Sequence, residues 1–180
     1  MRYDFDTPIN RRNTFSFKWD CDMDYFGRDD VIPMWVADMD FAAPPPVIAA
    51  LHRRLDHGVF GYGQAQPSLL AAVVDHLASE YGWTIDPRWI VWLPGLVTGL
   101  NVACRAVAGD VITATPIYPP FLSAPRHAGK GLAQAELMQT GEGWRWDWPA
   151  MERAITPDTR LFLLCQPHNP VGRCWTDDEL

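Results

Sequence analysis

The spacing of apolar residues predicts two helices in the first half of the chain. Each segment repeats apolar residues at intervals of three and four, which is the spacing of one helix face. The first helix opens at Pro44-Pro45-Pro46 and stops at Gly58. The second follows Pro67 and stops at Gly82. We therefore expect two consecutive helices joined by a glycine-rich loop.

The N-terminal segment has a different pattern. Residues 1–30 show little periodicity, and we expect an extended arm there. Residues 31–36 form a short apolar run, which predicts a buried strand.

From residue 89 onward, short apolar runs alternate with segments of helical spacing. Strands are predicted at residues 89–93, 111–115, 132–138 and 161–165. Helices are predicted between them, at residues 96–107, 119–127 and 148–155. Alternation of apolar strands with helices indicates a largely parallel sheet that is covered on both faces. The predicted class is α/β.

A helix start signal lies in the last residues. Thr176 is placed to be an N-cap, and Glu179 occupies the third helical position of a capping box. A single turn cannot offset the free energy that helix nucleation costs. We therefore expect the polypeptide to continue beyond Leu180.

Composition and charge argue against several classes of protein. The net charge is −7 and no run of Lys or Arg occurs, so a nucleic-acid-binding protein is not expected. No apolar run approaches the length of a membrane span, and the N-terminus lacks the apolar core of a signal peptide. The four cysteines form no CxxC pair, which favours reduced thiols in a cytoplasmic protein. The five histidines show no metal-binding spacing, so no metal site is predicted.

Three loops with candidate chemistry follow predicted strands. They carry Pro94-Gly95, Thr115-Pro116-Ile117-Tyr118 and Pro167-His168-Asn169-Pro170-Val171-Gly172-Arg173. Ligands of open α/β sheets collect at the carboxyl ends of strands, and free N–H groups at a helix start can bind phosphate. Each loop alone is more typical of an ordinary turn or of packing than of a binding site. A mononucleotide-binding protein is the alternative from pattern alone, although no glycine fingerprint supports it.

Taken together in order and spacing, these segments resemble the cystathionine β-lyase-like branch of the class I/II aminotransferase superfamily, which are fold-type I pyridoxal-phosphate (PLP) enzymes. Further matching stretches are Lys18-Trp19-Asp20, Trp35-Val36-Ala37-Asp38-Met39-Asp40-Phe41 and His57-Gly58-Val59-Phe60-Gly61-Tyr62. The Asp-Met-Asp-Phe and Gly-Val-Phe-Gly-Tyr motifs together separate this branch from other aminotransferases.

The resemblance implies a three-layer, aspartate aminotransferase-like fold of the PLP-dependent transferases, which is incomplete here. It implies that residues 1–45 form an N-terminal arm and part of a small domain. Residues 46–180 would form the N-terminal part of the large PLP-binding domain.

The resemblance also implies a cofactor site for pyridoxal 5′-phosphate. Asn169 would bond the phenolic oxygen of the cofactor, and Tyr118 would stack on its pyridine ring. The amides around Gly95, Leu96 and Val97 would hold its phosphate.

Two further contacts are implied by the same resemblance. Tyr62 would reach the phosphate of the partner subunit in a homodimer. The Ala37–Asp38 backbone would lie near the carboxylate of an amino-acid substrate, which is cystathionine or a cysteine conjugate.

The implied activity is that of a carbon–sulfur β-lyase that releases thiol, pyruvate and ammonia, and an aminotransferase is the alternative. Such enzymes bind PLP through a lysine. The only lysines, Lys18 and Lys130, lack the Ser-x-x-Lys setting that the family uses. We therefore expect residues 1–180 alone to be inactive, and a non-catalytic fragment is the alternative of another class.

Overall fold

The computed structural model describes residues 3–180, and the chain divides into two compact units at Leu69–Leu70. The first unit holds helices α1 (Phe17–Asp20), α2 (Asp22–Phe26) and α3 (Pro45–His57). Helix α4 (Pro67–Tyr81) contains the point of division. The two helices that the sequence predicts are confirmed as α3 and α4. The domain boundary near residue 45 stays a prediction.

The strand predicted at residues 31–36 is wrong. No strand occurs in the described part of the first unit, residues 3–69, so this run has no neighbour to pair with. Trp35 packs instead against Phe17, Tyr25 and Phe26, with ring centroids between 4.4 and 5.7 Å apart. The apolar character of the run therefore serves an aromatic cluster rather than a sheet.

The second unit continues the alternation of strands and helices. Its helices are α5 (Leu96–Ala106), α6 (Pro120–His127) and α7 (Trp148–Ala154). Its strands are β1 (Asp110–Thr115), β2 (Leu132–Glu136), β3 (Met138–Thr140), β4 (Gly143–Arg145) and β5 (Thr159–Leu163). Short 3₁₀ turns occupy Pro87–Trp89 and Asp177–Glu179.

A parallel sheet of order β2–β1–β5 forms the centre of the second unit. Val111 of β1 lies opposite Leu132 on one side and Leu161 on the other. Strands β3 and β4 form a separate antiparallel pair. The predicted α/β class with parallel pairing is confirmed.

Side chains of β1 alternate between two apolar clusters. Val111 packs with Leu100 and Cys104 of α5, while Ile112 packs with Met151 of α7. Because successive strand residues point to opposite faces, the sheet is covered by α5 and α6 on one side and by α7 on the other. The result is a three-layer arrangement.

Three of the predicted strands differ from the structure. The strand predicted at 89–93 is wrong: a 3₁₀ turn ends at Trp89, and the residues after it have no strand partner in the described part of the chain. The run 132–138 is interrupted after Glu136, where Leu137 turns into the core and Met138 begins β3. The last strand spans 159–163 rather than 161–165, because its pairing with β1 ends at Leu163.

Large apolar faces remain uncovered. The accessible surface is 13513 Å², whereas a folded monomer of this mass exposes about 8,800 Å². Phe162 and Leu164, in and just after β5, are exposed, as are Val91 and Trp92. The fold is therefore incomplete as an isolated globule. None of the helices within residues 3–180 is long and apolar enough to cross a bilayer.

Candidate functional site

Two of the predicted site residues follow neighbouring strands. Tyr118 comes three residues after β1, and Asn169 comes six residues after β5. These two strands are adjacent and parallel, so both loops leave the same edge of the sheet. A hydrogen bond of 3.0 Å between His168 Nε2 and the Pro116 carbonyl joins the two loops directly.

The loop that carries Asn169 is held by its own side chains and backbone. The Gln166 amide bonds the Trp175 backbone twice, through Nε2 to the carbonyl at 2.9 Å and through Oε1 from the N–H at 3.0 Å. The Asn169 N–H donates to Cys165 Sγ at 3.4 Å, and the His168 N–H donates to the Arg173 carbonyl at 2.7 Å. This loop is therefore closed at its base, and the exposed Asn169 lies within it.

His168 is fixed in one neutral form. Its side chain is only 1% exposed, and Trp175 Nε1 lies 3.3 Å from its Nδ1. Because an indole N–H can only donate, Nδ1 is an acceptor and Nε2 carries the proton that Pro116 accepts. Burial lowers the pKa of His168, and the hydrogen bond to Pro116 partly opposes this shift.

Helix α5 begins at the third predicted segment. Gly95 precedes it with φ +127°, a conformation that favours glycine, and no side chain caps the helix start. The first N–H groups of any helix lack intrahelical partners. Leu96 and Val97 are exposed, so their amides lie at an open helix start. Helix α5 also packs against α6, which begins just after Tyr118.

The edge where these loops meet also has a cleft. Its volume is about 380 Å³, and its walls are formed by Thr115, Pro116, Glu136, Leu137 and Trp144. Trp146 is buried in the adjoining cluster and stacks on Trp148, with centroids 4.9 Å apart. The Trp-rich segment at residues 144–148 is thus a packing element.

Three predicted site residues lie in the first unit. Ala37 and Asp38 are exposed. Tyr62 is fully exposed and, with Arg54, lines a cleft of about 550 Å³ formed by residues 54–66.

Four charged side chains form a cluster at the Asp38–Asp40 segment: the two carboxylates of the segment itself, Lys18 and Arg11. Lys18 Nζ donates to Asp40 Oδ2 at 2.7 Å and to the Asp38 carbonyl at 3.1 Å. Arg11 bonds both carboxylates at 2.7 Å, and Trp19 Nε1 donates to Asp40 at 2.8 Å. The hydrogen bonds from Lys18, Trp19 and Arg11 hold the pKa of Asp40 well below its usual range.

The sequence pattern does not predict this cluster as a unit. The Lys18-Trp19-Asp20 and Asp38-Met39-Asp40 motifs are visible in the sequence, but nothing in their spacing indicates that they touch. Similarly, no sequence pattern distinguishes a histidine that joins two loops, as His168 does, from one that is only packed in the core.

Neither lysine is free to act as a nucleophile. Lys18 is 7% exposed and is engaged by Asp40 and Asp38. Lys130 donates to the Val107 carbonyl at 2.8 Å, beside the amino end of β1. Since Tyr118 and Asn169 lie beyond the carboxyl ends of β1 and β5, Lys130 is at the opposite edge of the sheet.

A family model describes most of this chain. The model for aminotransferase class I and II matches residues 29–180. The chain belongs to this family. The predicted family and its α/β fold are confirmed.

Class I and II aminotransferase relatives match along almost the entire chain. Cystathionine beta-lyase PatB of Bacillus subtilis (strain 168) is 38% identical over 180 residues, covering 98% of this chain and 46% of PatB. A second relative is cystalysin from Treponema denticola, whose crystal structure contains pyridoxal 5′-phosphate. It is 34% identical with a TM-score of 0.88, and the match covers 99% of this chain and 47% of the cystalysin chain. The PLP-bound C-S lyase from Staphylococcus hominis is 29% identical with a TM-score of 0.88, at 99% and 46% coverage. The chain spans about half the length of the curated relatives it matches.

Proposed function

We propose that the protein is a PLP-dependent carbon–sulfur β-lyase that acts on cystathionine or another cysteine conjugate and releases thiol, pyruvate and ammonia. The observation that carries this proposal is the junction of two loops at one sheet edge, where His168 bonds Pro116. It supports a shared site for Tyr118 and Asn169. The names of the relatives support the lyase chemistry.

The residues at this edge fit a phosphorylated pyridine ring. Helix α5 leads into β1 through a short connection, so its start lies toward the carboxyl end of β1 if the two run antiparallel, as consecutive α/β elements do. The uncapped N–H groups near Gly95, Leu96 and Val97 would then hold the phosphate. Tyr118 offers a ring for stacking. The Asn169 side chain, which has no hydrogen bond within residues 3–180, offers an amide for the phenolic oxygen.

Bound pyridoxal phosphate would supply an electron sink for the carbanion at the substrate α-carbon. The role of these residues is to bind and orient: fixed groups keep the reacting atoms in geometry for proton transfer. The Schiff-base lysine would come from sequence other than residues 1–180, because Lys18 is paired with Asp40 and Lys130 is bound to the Val107 carbonyl beside the amino end of β1.

Further contacts complete the proposal. The exposed Tyr62 would reach the phosphate site of the partner subunit in a homodimer, and the Ala37–Asp38 backbone would face the substrate carboxylate. The four cysteines are all free thiols, which fits a cytoplasmic enzyme.

The test uses the complete protein encoded by the gene. We expect a visible absorbance band from bound cofactor and release of pyruvate and ammonia from L-cystathionine. An aminotransferase, which the family model equally supports, would instead require a 2-oxo acid acceptor and would release no ammonia. Protein without the band and without either reaction would contradict the proposal and favour a non-catalytic role.

A further inference from the structure

We propose that Lys18 is a positioning residue. With Arg11 and Asp40, it fixes the backbone of residues 37–40, the segment that receives the substrate carboxylate. The inference rests on the function proposed above.

Lys18 is a buried ammonium with a defined task. A lysine is almost never fully buried unless it is paired. Only 7% of Lys18 is exposed, and its Nζ lies 2.7 Å from Asp40 Oδ2 and 3.1 Å from the Asp38 carbonyl. The second contact involves the backbone, so it sets the orientation of the peptide group that joins Asp38 to Met39.

Asp40 also accepts hydrogen bonds from two other side chains. Trp19 Nε1 reaches it at 2.8 Å and Arg11 Nη1 at 2.7 Å, in addition to Lys18. Arg11 also donates to the Met39 carbonyl at 3.4 Å. Donors from residues 11–19 therefore hold the peptide groups on both sides of Met39, across twenty or more positions of sequence.

The charges within the cluster cancel. Two cations, Arg11 and Lys18, face two carboxylates, Asp38 and Asp40, with the closest contacts at 2.7 Å. No cationic charge remains to attract a substrate anion directly. The cluster consequently acts through the backbone that it orients, and the exposed Ala37–Asp38 segment presents that backbone. We expect loss of Lys18 to weaken substrate binding more than it slows the chemical step.

The first test of this inference is Lys18→Met in the complete protein, with Lys130→Met as the matched control. Lys130 is the only other lysine and contacts one backbone carbonyl but no carboxylate. Chymotrypsin cleavage of the cofactor-free protein after Met39 or Phe41 should accelerate about tenfold or more in Lys18→Met, and not in the control, because cleavage requires this segment to leave its fixed conformation. This readout requires no activity.

The second test measures substrate binding in the cofactor-loaded protein. For L-cystathionine, Lys18→Met should raise KM about tenfold or more, with kcat changed by less than about threefold. The dissociation constant of L-alanine, followed by the cofactor spectrum, should rise similarly. That of ethylamine, which lacks the carboxylate, should not change. Lys18→Arg, which retains the charge, should recover part of the loss.

The outcomes separate this inference from the proposed function. If Lys18→Met does not fold, Trp19→Phe decides, because it removes one donor to Asp40 and retains the ring. Unchanged chymotrypsin cleavage at residues 39–41 in the variant that decides, or equal losses of affinity for L-alanine and ethylamine, would overturn the positioning role. A wild-type protein without cofactor absorbance or turnover would reject the lyase function, while the cleavage rates would still report on the cluster.

Discussion

The junction between the two loops makes His168 the most informative residue for substitution. His168→Phe retains a ring of similar size but removes both hydrogen-bonding nitrogens. Trp175 Nε1 then loses its acceptor, and the Pro116 carbonyl loses its donor. The orphaned N–H of Trp175, which is only 4% exposed, costs about 1–3 kcal/mol, whereas Pro116 is exposed and its carbonyl can be solvated by water. We therefore expect the free energy of unfolding to fall by roughly 1–3 kcal/mol.

The assay is urea-induced unfolding of the complete protein, followed by tryptophan fluorescence. His127→Phe is the matched control because His127 is an exposed histidine at the end of α6. A surface substitution of this kind changes stability by about 0.5 kcal/mol or less. His168→Gln retains an amide donor and acceptor, and we expect a loss between those of the other two variants.

The same substitution has a pH signature. Protonation of Nδ1 would turn it into a donor facing the Trp175 donor, and burial lowers the pKa of His168 from its ordinary value of 6.5. The unfolded chain therefore takes up a proton more readily than the folded one. The stability that neutral His168 contributes is complete above about pH 6.5 and declines as the pH falls toward the lowered folded pKa. Two results would refute this reasoning. One is a difference of less than about 0.5 kcal/mol between the free energies of unfolding of the wild-type and His168→Phe proteins at neutral pH. The other is a difference that becomes larger as the pH falls.

Three further predictions concern the candidate site and its surroundings. Asn169→Ala in the complete protein should weaken cofactor binding about tenfold or more, measured by absorbance titration, because one polar contact is lost; unchanged affinity would contradict the role of Asn169. Residues 1–180 alone, supplied with pyridoxal phosphate, should release pyruvate from L-cystathionine only at the rate of free cofactor. Borohydride reduction followed by mass spectrometry should then label Lys18 no faster than Lys130; turnover abolished by either Lys→Ala variant would show that a lysine here does serve. The lowered pKa of Asp40 contributes stability that is complete above about pH 3.8 and is lost as the pH falls below that value. In a circular dichroism titration, Asp40→Asn should therefore reduce the dependence of stability on pH in this acid range.

The sequence predicts the second unit better than the first. Helices α5, α6 and α7 are readable because each has one apolar face with a regular period, and that face meets the sheet. Strand β1 is readable for a different reason: it is a short apolar run that is buried on both faces. Residues 31–36 and 89–93 are equally apolar but do not form strands, since a strand also requires a neighbour with free backbone groups. Periodicity reports burial, and pairing depends on the rest of the fold.

The candidate site is predictable only in part, for a similar reason. Asn169 and Tyr118 stand out because they follow strands and match a family motif. The contacts that hold their loops join His168 to residues 52 positions back and seven positions ahead. Such pairings leave no local pattern, and neither does the contact between Lys18 and Asp40. The chemistry of a site is therefore easier to read from sequence than the supports that orient it.

The strand order has a consequence for synthesis of the protein on the ribosome. The central strand β1 is translated first, β2 then joins one of its sides, and β5 joins the other. Every strand of this sheet after the first thus finds an already synthesised edge to pair with. The nascent chain can assemble these three strands in the order of translation, outward from β1, while the outer edge of the newest strand stays open to incorrect pairing.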